Sequence, residues 1–102
     1  MCPITSEIKK EDLENSDYVL KVHVDEKKTV ANFKTFYKGE RKENFNGLAI
    51  GNKCYDSLEA GKDYIIGCKG SETQVDNCKF VKEYKNITVD EWMQLFKAKR
   101  VP

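Results

Sequence analysis

A chain of 102 residues has room for one domain and a core of limited volume. Only 39% of its residues are hydrophobic and 34% are charged, so much of the surface is solvated and the core needs reinforcement from its four cysteines. The 18 basic and 17 acidic side chains leave a net charge of +1, which supplies no field for steering to DNA, RNA or an anionic membrane.

Residues 6–15 (SEIKKEDLEN) are polar, with Ile8 and Leu13 as the large apolar exceptions, and Ser6 is positioned to cap a short N-terminal helix. From Asp17 the pattern alternates. Tyr18, Leu20, Val22 and Val24 share one face, and Lys21, His23 and Asp25 lie opposite, which predicts a half-buried strand. Glu26-Lys27-Lys28 makes the turn into a second strand from about Thr29 to Tyr37. Its apolar residues Val30, Phe33, Phe36 and Tyr37 fall on both faces, as in a curved strand, and Gly39 ends it. A charged loop over 39–44 leads to a short strand from Phe45 to Ile50, interrupted by Gly47 and closed by a Gly51-Asn52 turn. Leu58 to Lys62 turns the chain into the apolar strand Tyr64-Ile65-Ile66. Gly70 to Thr73 turns it again, and Val75 to Tyr84 is expected to return antiparallel. The last element is a helix opened by the capping box Thr88-Val-Asp-Glu91. Val89, Trp92, Met93 and Phe96 recur at helical spacing and predict a core-facing stripe, with Trp92 as the main anchor. Lys97, Lys99 and Arg100 complement the helix dipole. The fold class expected is mainly β: a five-stranded OB-like Greek-key barrel with a C-terminal amphipathic helix.

Cys2, Cys54, Cys68 and Cys78 are even in number and widely spaced, with no Cys-x-x-Cys pair, and His23 is the sole histidine. This favours two disulfides over a zinc site, so no metal and no cofactor are expected, and disulfides imply an oxidising compartment. The residues alone leave three connectivities open. No signal peptide and no membrane-spanning apolar run is present, and Met1 directly before Cys2 reads as an initiator added to a mature chain, which fits secretion.

His23 lies on the polar face of its strand, and no nucleophile or carboxylate partner can be read beside it, so it is expected to be a solvated strand residue and the chain not to be an enzyme. Asp56, Glu59 and Asp63 do not have calcium-loop spacing and read as turn residues. Asn86-Ile87-Thr88 is an N-glycosylation sequon in a turn. The basic clusters Lys9-Lys10, Lys27-Lys28 and 97–100 are scattered and read as solvated faces. Without a basic groove the aromatic residues do not make a single-strand platform, so no nucleic-acid partner is expected.

The order of these segments carries a resemblance. A strand beginning Asp17-Tyr18-Val19, a strand ending Tyr37-Lys38-Gly39, Cys54, Leu58-x-x-Gly61-Lys62-x-Tyr64-x-Ile66-Gly67, Cys78-Lys79-Phe80-Val81 and a Thr88-x-x-x-Trp92 helix together resemble the netrin-like module. That module is shared by netrin and complement C-terminal domains and by the inhibitory domain of tissue inhibitors of metalloproteinases. The short form is most similar to netrin-like excretory–secretory proteins of parasitic nematodes. The resemblance implies an OB-like barrel with flanking helices, secretion, and protein binding without catalysis, the partner being a host factor if the source is a parasite. It also implies pairing of Cys2 with Cys54, which leaves Cys68 with Cys78. By analogy with the inhibitors' contact ridge, Cys2, Pro3, Ile4, Thr5, Arg41, Lys53 and Tyr55 are the expected partner contacts, presented by a monomer that does not insert into membranes. The alternative is a metalloproteinase inhibitor whose free Cys2 amine chelates zinc. The chain departs from that pattern in lacking the second cysteine of the inhibitors' Cys-x-Cys start and in placing Pro3, with its fixed φ and no N–H, where a side chain enters the protease pocket.

Overall fold

Alternating apolar residues over 18–24 do form a strand, β1 (Tyr18–Val24), at the centre of the sheet. The computed structural model describes residues 7–39, 48–70 and 74–100. Among these, α1 (Lys10–Glu14) precedes β1, followed by β2 (Val30–Lys38), β3 (Leu48–Ala49), β4 (Asp63–Cys68), β5 (Phe80–Glu83) and α2 (Val89–Arg100). The five strands form one antiparallel sheet in the order β3-β2-β1-β4-β5, so the protein is mainly β with a C-terminal helix, as expected. A parallel bridge between Ala49 and Gln74 brings the β3 edge against the segment leading to β5. This curling of one edge towards the other is consistent with an OB-like architecture.

The curvature originates in β2. Leu20 pairs with both Phe36 and Ile66, but the β1–β2 register slips between Val19 and Leu20 and again between Lys21 and Val22. Each slip leaves an extra residue on β2 and increases local twist, which accounts for the two-faced apolar pattern of that strand. The hairpin before it is held by Asp25, whose carboxylate accepts from the Thr29 amide (2.8 Å) and the Thr29 hydroxyl (2.9 Å). Lys28 takes the left-handed conformation (φ 58°) that this tight return requires.

The pleat divides the interior in two. Tyr18, Leu20, Val22, Val24, Tyr64, Ile66 and Val81 share one core, which Ala31, Cys54, Leu58, Cys68 and Val75 complete. Their neighbours Val19, Ile65 and Phe80 point the other way, where Ile8, Leu13, Tyr37 and Leu95 cover them. Strand β4 is therefore buried on both faces, and its one small residue is placed where a neighbouring ring needs room. A Cβ on Gly67 would stand 2.1 Å from the Phe80 ring. Cys68 and Cys78 form a disulfide that ties the end of β4 to the approach to β5. Cys54 is also disulfide-bonded and fully buried, while Cys2 lies outside the described residues.

Several expected boundaries move. The return strand does not begin at Val75: residues Val75–Asn77 make a 3-10 turn, and pairing starts only at Phe80. The physical reason is the disulfide together with the amide of Cys78 donating to the Val75 carbonyl (3.1 Å), which coils this stretch instead of extending it. Helix α1 is capped from Lys9, not Ser6: its backbone amide donates to the Asp12 carboxylate at 3.0 Å, and Ser6 itself is outside the described residues. The third strand is described only at Leu48–Ala49, since 40–47 also lie outside.

Candidate functional site

Helix α2 is the element on which sequence expectation and structure part company. Its capping box forms as the sequence predicts: the Glu91 amide donates to Thr88 Oγ1 (3.2 Å) and the Thr88 amide donates to Glu91 Oε1 (2.9 Å). The Glu91 carboxylate does more than cap. It is 2% exposed, and Oε1 also accepts from the Lys82 ammonium of β5, while Oε2 accepts from the Ile8 amide (2.6 Å). Burial alone would push this carboxyl up, but the Lys82 ammonium and the amides of Ile8 and Thr88 outweigh it and hold the pKa down to about 2. One buried charge thus joins three segments: the N-terminal approach to α1, strand β5 and helix α2.

Because Glu91 faces inward, the residue one turn later, Leu95, also faces inward and is fully buried. The stripe expected to form the core contact is rotated outward. Val89 is 75% exposed, Met93 53% and Phe96 52%. Trp92 is half-buried on the shoulder between the two faces and packs on the same core cluster as the fully buried Leu95, so the two anchor the helix together. The correction has a simple cause: a helix with both an apolar stripe and a Glu–Leu pair at i, i+4 can present either side, and Lys82 beneath it selects the side carrying the carboxylate.

Trp92 gathers the aromatic side chains around it. Tyr37 from β2 and Tyr84 after β5 meet its ring edge-on, with centroids 6.0 and 5.3 Å away, and Phe96 stacks on it at 5.8 Å. The Lys21 ammonium lies 3.9 Å from the centre of the Tyr84 ring, a cation–π contact that fixes the ring from behind. Burial, with Tyr84 adjacent, raises the pKa of the Tyr37 hydroxyl above its ordinary value. Tyr37, Tyr84, Lys85, Ile87, Trp92 and Phe96 line an open groove of about 580 Å³. That is a size typical of ligand-binding clefts. Lys85 stands at its rim, and Lys97, one residue past Phe96, is exposed on the last turns of the helix.

The residues expected from resemblance to make contacts are not brought to this groove. Lys53 and Tyr55 are exposed on the turn after β3, where the Lys28 ammonium donates to the Tyr55 carbonyl (3.3 Å) and lies 5.5 Å from its ring. Cys2, Pro3, Ile4, Thr5 and Arg41 lie outside the described residues, as does the Cys2 amine on which the inhibitor alternative depends. His23 is half-exposed, and its Nδ1 is 2.6 Å from Asp63 Oδ1 across the β1–β4 pair; Lys21 approaches the other Asp63 oxygen at 3.6 Å. Asp63 is therefore a strand residue in a surface ion cluster and not part of a turn. Glu59 does serve its turn, paired with Lys62 three residues on, and this pairing holds its carboxyl below the usual range. Among the described residues no group of three or more His, Cys, Asp or Glu side chains is arranged to hold a metal ion. No described helix is long and apolar enough to cross a membrane.

These features define a small disulfide-bonded β protein with one aromatic, solvent-facing helix surface. The chain belongs to the family described as AceES-2, excretory-secretory protein 2, whose profile it matches over residues 1–97. Among solved structures it is similar to the crystal structure of Ancylostoma ceylanicum excretory-secretory protein 2, with a TM-score of 0.71, 25% identity and 90% of each chain covered. No curated protein sequence matches the chain. Membership of this family supports a parasite excretory–secretory origin and, with the disulfides, secretion.

Proposed function

We propose that this chain is a secreted, non-enzymatic protein-binding module that engages a host protein through the α2 face and the groove beside it. The observation that carries the reading is the outward turn of the apolar stripe. Val89, Met93 and Phe96 stand at least half exposed on one helix, contiguous with a groove of four aromatic rings. A charged chain of this size gains nothing in stability by showing such a patch to water, and contiguous exposed apolar surface marks interaction sites. Trp and Tyr are also the residues that most often dominate binding energy at interfaces. Lys85 on the groove, shared with Glu83 at 3.4 Å, and Lys97, exposed on the last turns of α2, give the partner a sign: an extended or helical apolar segment carrying acidic residues suits both the rings and the ammonium groups. Resemblance to netrin-like modules, which bind without catalysis, points the same way.

The test compares wild-type protein with a Met93→Ser/Phe96→Ser variant as baits in host serum and mucosal extract. Partners retained by the wild type, lost by the variant and released by salt support the reading, with hydrogen-exchange protection of 89–97 in the reconstituted pair locating the contact. Equal retention by both baits, with the variant's thermal midpoint unchanged, would overturn it.

A further inference from the structure

We infer that Asn86 is an N-glycosylation site, and that its glycan leaves the protein from outside the aromatic groove. The inference rests on secretion and is independent of the proposed binding surface. Asn86-Ile87-Thr88 is the only Asn-x-Ser/Thr sequon in the chain. Its threonine is the N-cap of α2, which raises the question of whether the motif exists only to start a helix. The geometry separates the two roles. Capping uses Thr88 Oγ1 as an acceptor from the Glu91 amide, and Thr88 itself is exposed. Glycan transfer acts on the chain as it enters the secretory pathway, before the cap has formed.

Asn86 ends the 3-10 turn Tyr84–Asn86 and is exposed, so a bulky group there displaces no core side chain. Its neighbours Lys85 and Ile87 line the groove and Asn86 does not. Instead its side-chain Nδ2 donates to Glu83 Oε2 at 3.2 Å. In the transfer, Nδ2 forms a bond to the anomeric carbon of an oligosaccharide carried on a lipid pyrophosphate. The sugar–phosphate C–O bond breaks, the lipid pyrophosphate leaves, and one amide hydrogen departs as a proton. The second amide hydrogen remains on Nδ2.

The experiment is secretion of the full chain from insect or mammalian cells behind a secretion leader, followed by intact mass before and after peptide-N-glycosidase. The expected result is a mass increment that the enzyme removes completely, leaving its deamidation mark at position 86. Asn86→Gln and Thr88→Asp are expected to lack the increment, and Thr88→Ser to keep it. Thr88→Asp is the informative control, because aspartate preserves the cap acceptor while destroying the sequon. Wild-type protein secreted at the bare polypeptide mass would overturn the inference, as would an increment that survives in Thr88→Asp.

Discussion

The two sides of helix α2 invert the usual arrangement, and the inversion is instructive. The inward side carries a carboxylate, Glu91, locked to a buried ammonium; the outward side carries Val89, Met93 and Phe96. An amphipathic helix is ordinarily docked by its apolar stripe, which is why that stripe reads as core from the sequence. Here the docking is decided by a polar contact. Lys82 emerges from β5 among residues buried on both sides, and an unpaired ammonium at that position is costly. The Glu91 side of the helix supplies it with a carboxylate. The apolar stripe is then left to solvent, which is the condition an interaction surface requires.

Breaking the inward side should have the largest effects. Lys82→Met leaves the Glu91 carboxylate buried without its counter-charge and should lower unfolding free energy by about 3–5 kcal/mol in a denaturant titration. The double variant Lys82→Met/Glu91→Leu should recover most of that loss; failure to do so would mean that the hydrogen bonds to Ile8 and Thr88 matter more than the ion pair. Leu95→Ala, which empties a fully buried site on the same side, is expected to cost about 2–5 kcal/mol.

A pH series sharpens the comparison further. The folded Glu91 pKa of about 2 lies below its unfolded value near 4.5, so its stabilising contribution is complete above about pH 4.5 and is lost as pH falls towards 2. The thermal midpoint of the wild type should therefore decline through that window more steeply than that of Glu91→Gln. Parallel curves would show that Glu91 does not supply the acid sensitivity. Somewhat smaller is the effect expected at Gly67, outside the helix but against the same cluster. Gly67→Ala drives a methyl into the Phe80 ring and should cost about 1–3 kcal/mol, measured by the urea midpoint.

The outward side should behave in the opposite way. Met93→Ser is expected to change stability by no more than about 0.5 kcal/mol, and Phe96→Ser, whose half-exposed ring also stacks on Trp92, by about 0.5–1.5 kcal/mol. A loss beyond about 2 kcal/mol at either position would identify the stripe as a structural face and remove the ground for assigning it to a partner.

Strand patterns, the capping box and the turn glycines were legible in the sequence because each depends on residues close together in the chain. Tyr18 to Val24 alternates whatever surrounds it, Thr88 and Glu91 are one turn apart, and Gly39 and Gly70 take positive φ just past the ends of β2 and β4. The 3-10 turn at Val75–Asn77 was not legible, since it depends on a disulfide to Cys68 across the loop. The groove was missed for a related reason. Tyr37, Tyr84 and Trp92 come from three elements, and each taken singly is an ordinary packing aromatic. A signal was present in Lys82: a lysine directly after the apolar pair Phe80-Val81 within a strand implies an acidic partner, and Glu91 in the following helix was an available one.

By itself, then, the amino-acid order determined the mainly β class, the closing helix and the kinship of the chain, because local periodicity and segment order survive without knowledge of contacts. Which face of the closing helix meets the sheet was decided only in three dimensions. That choice balances an ion pair between residues 82 and 91 against an apolar stripe, and the desolvation of the Lys82 charge depends on what the fold stacks around it.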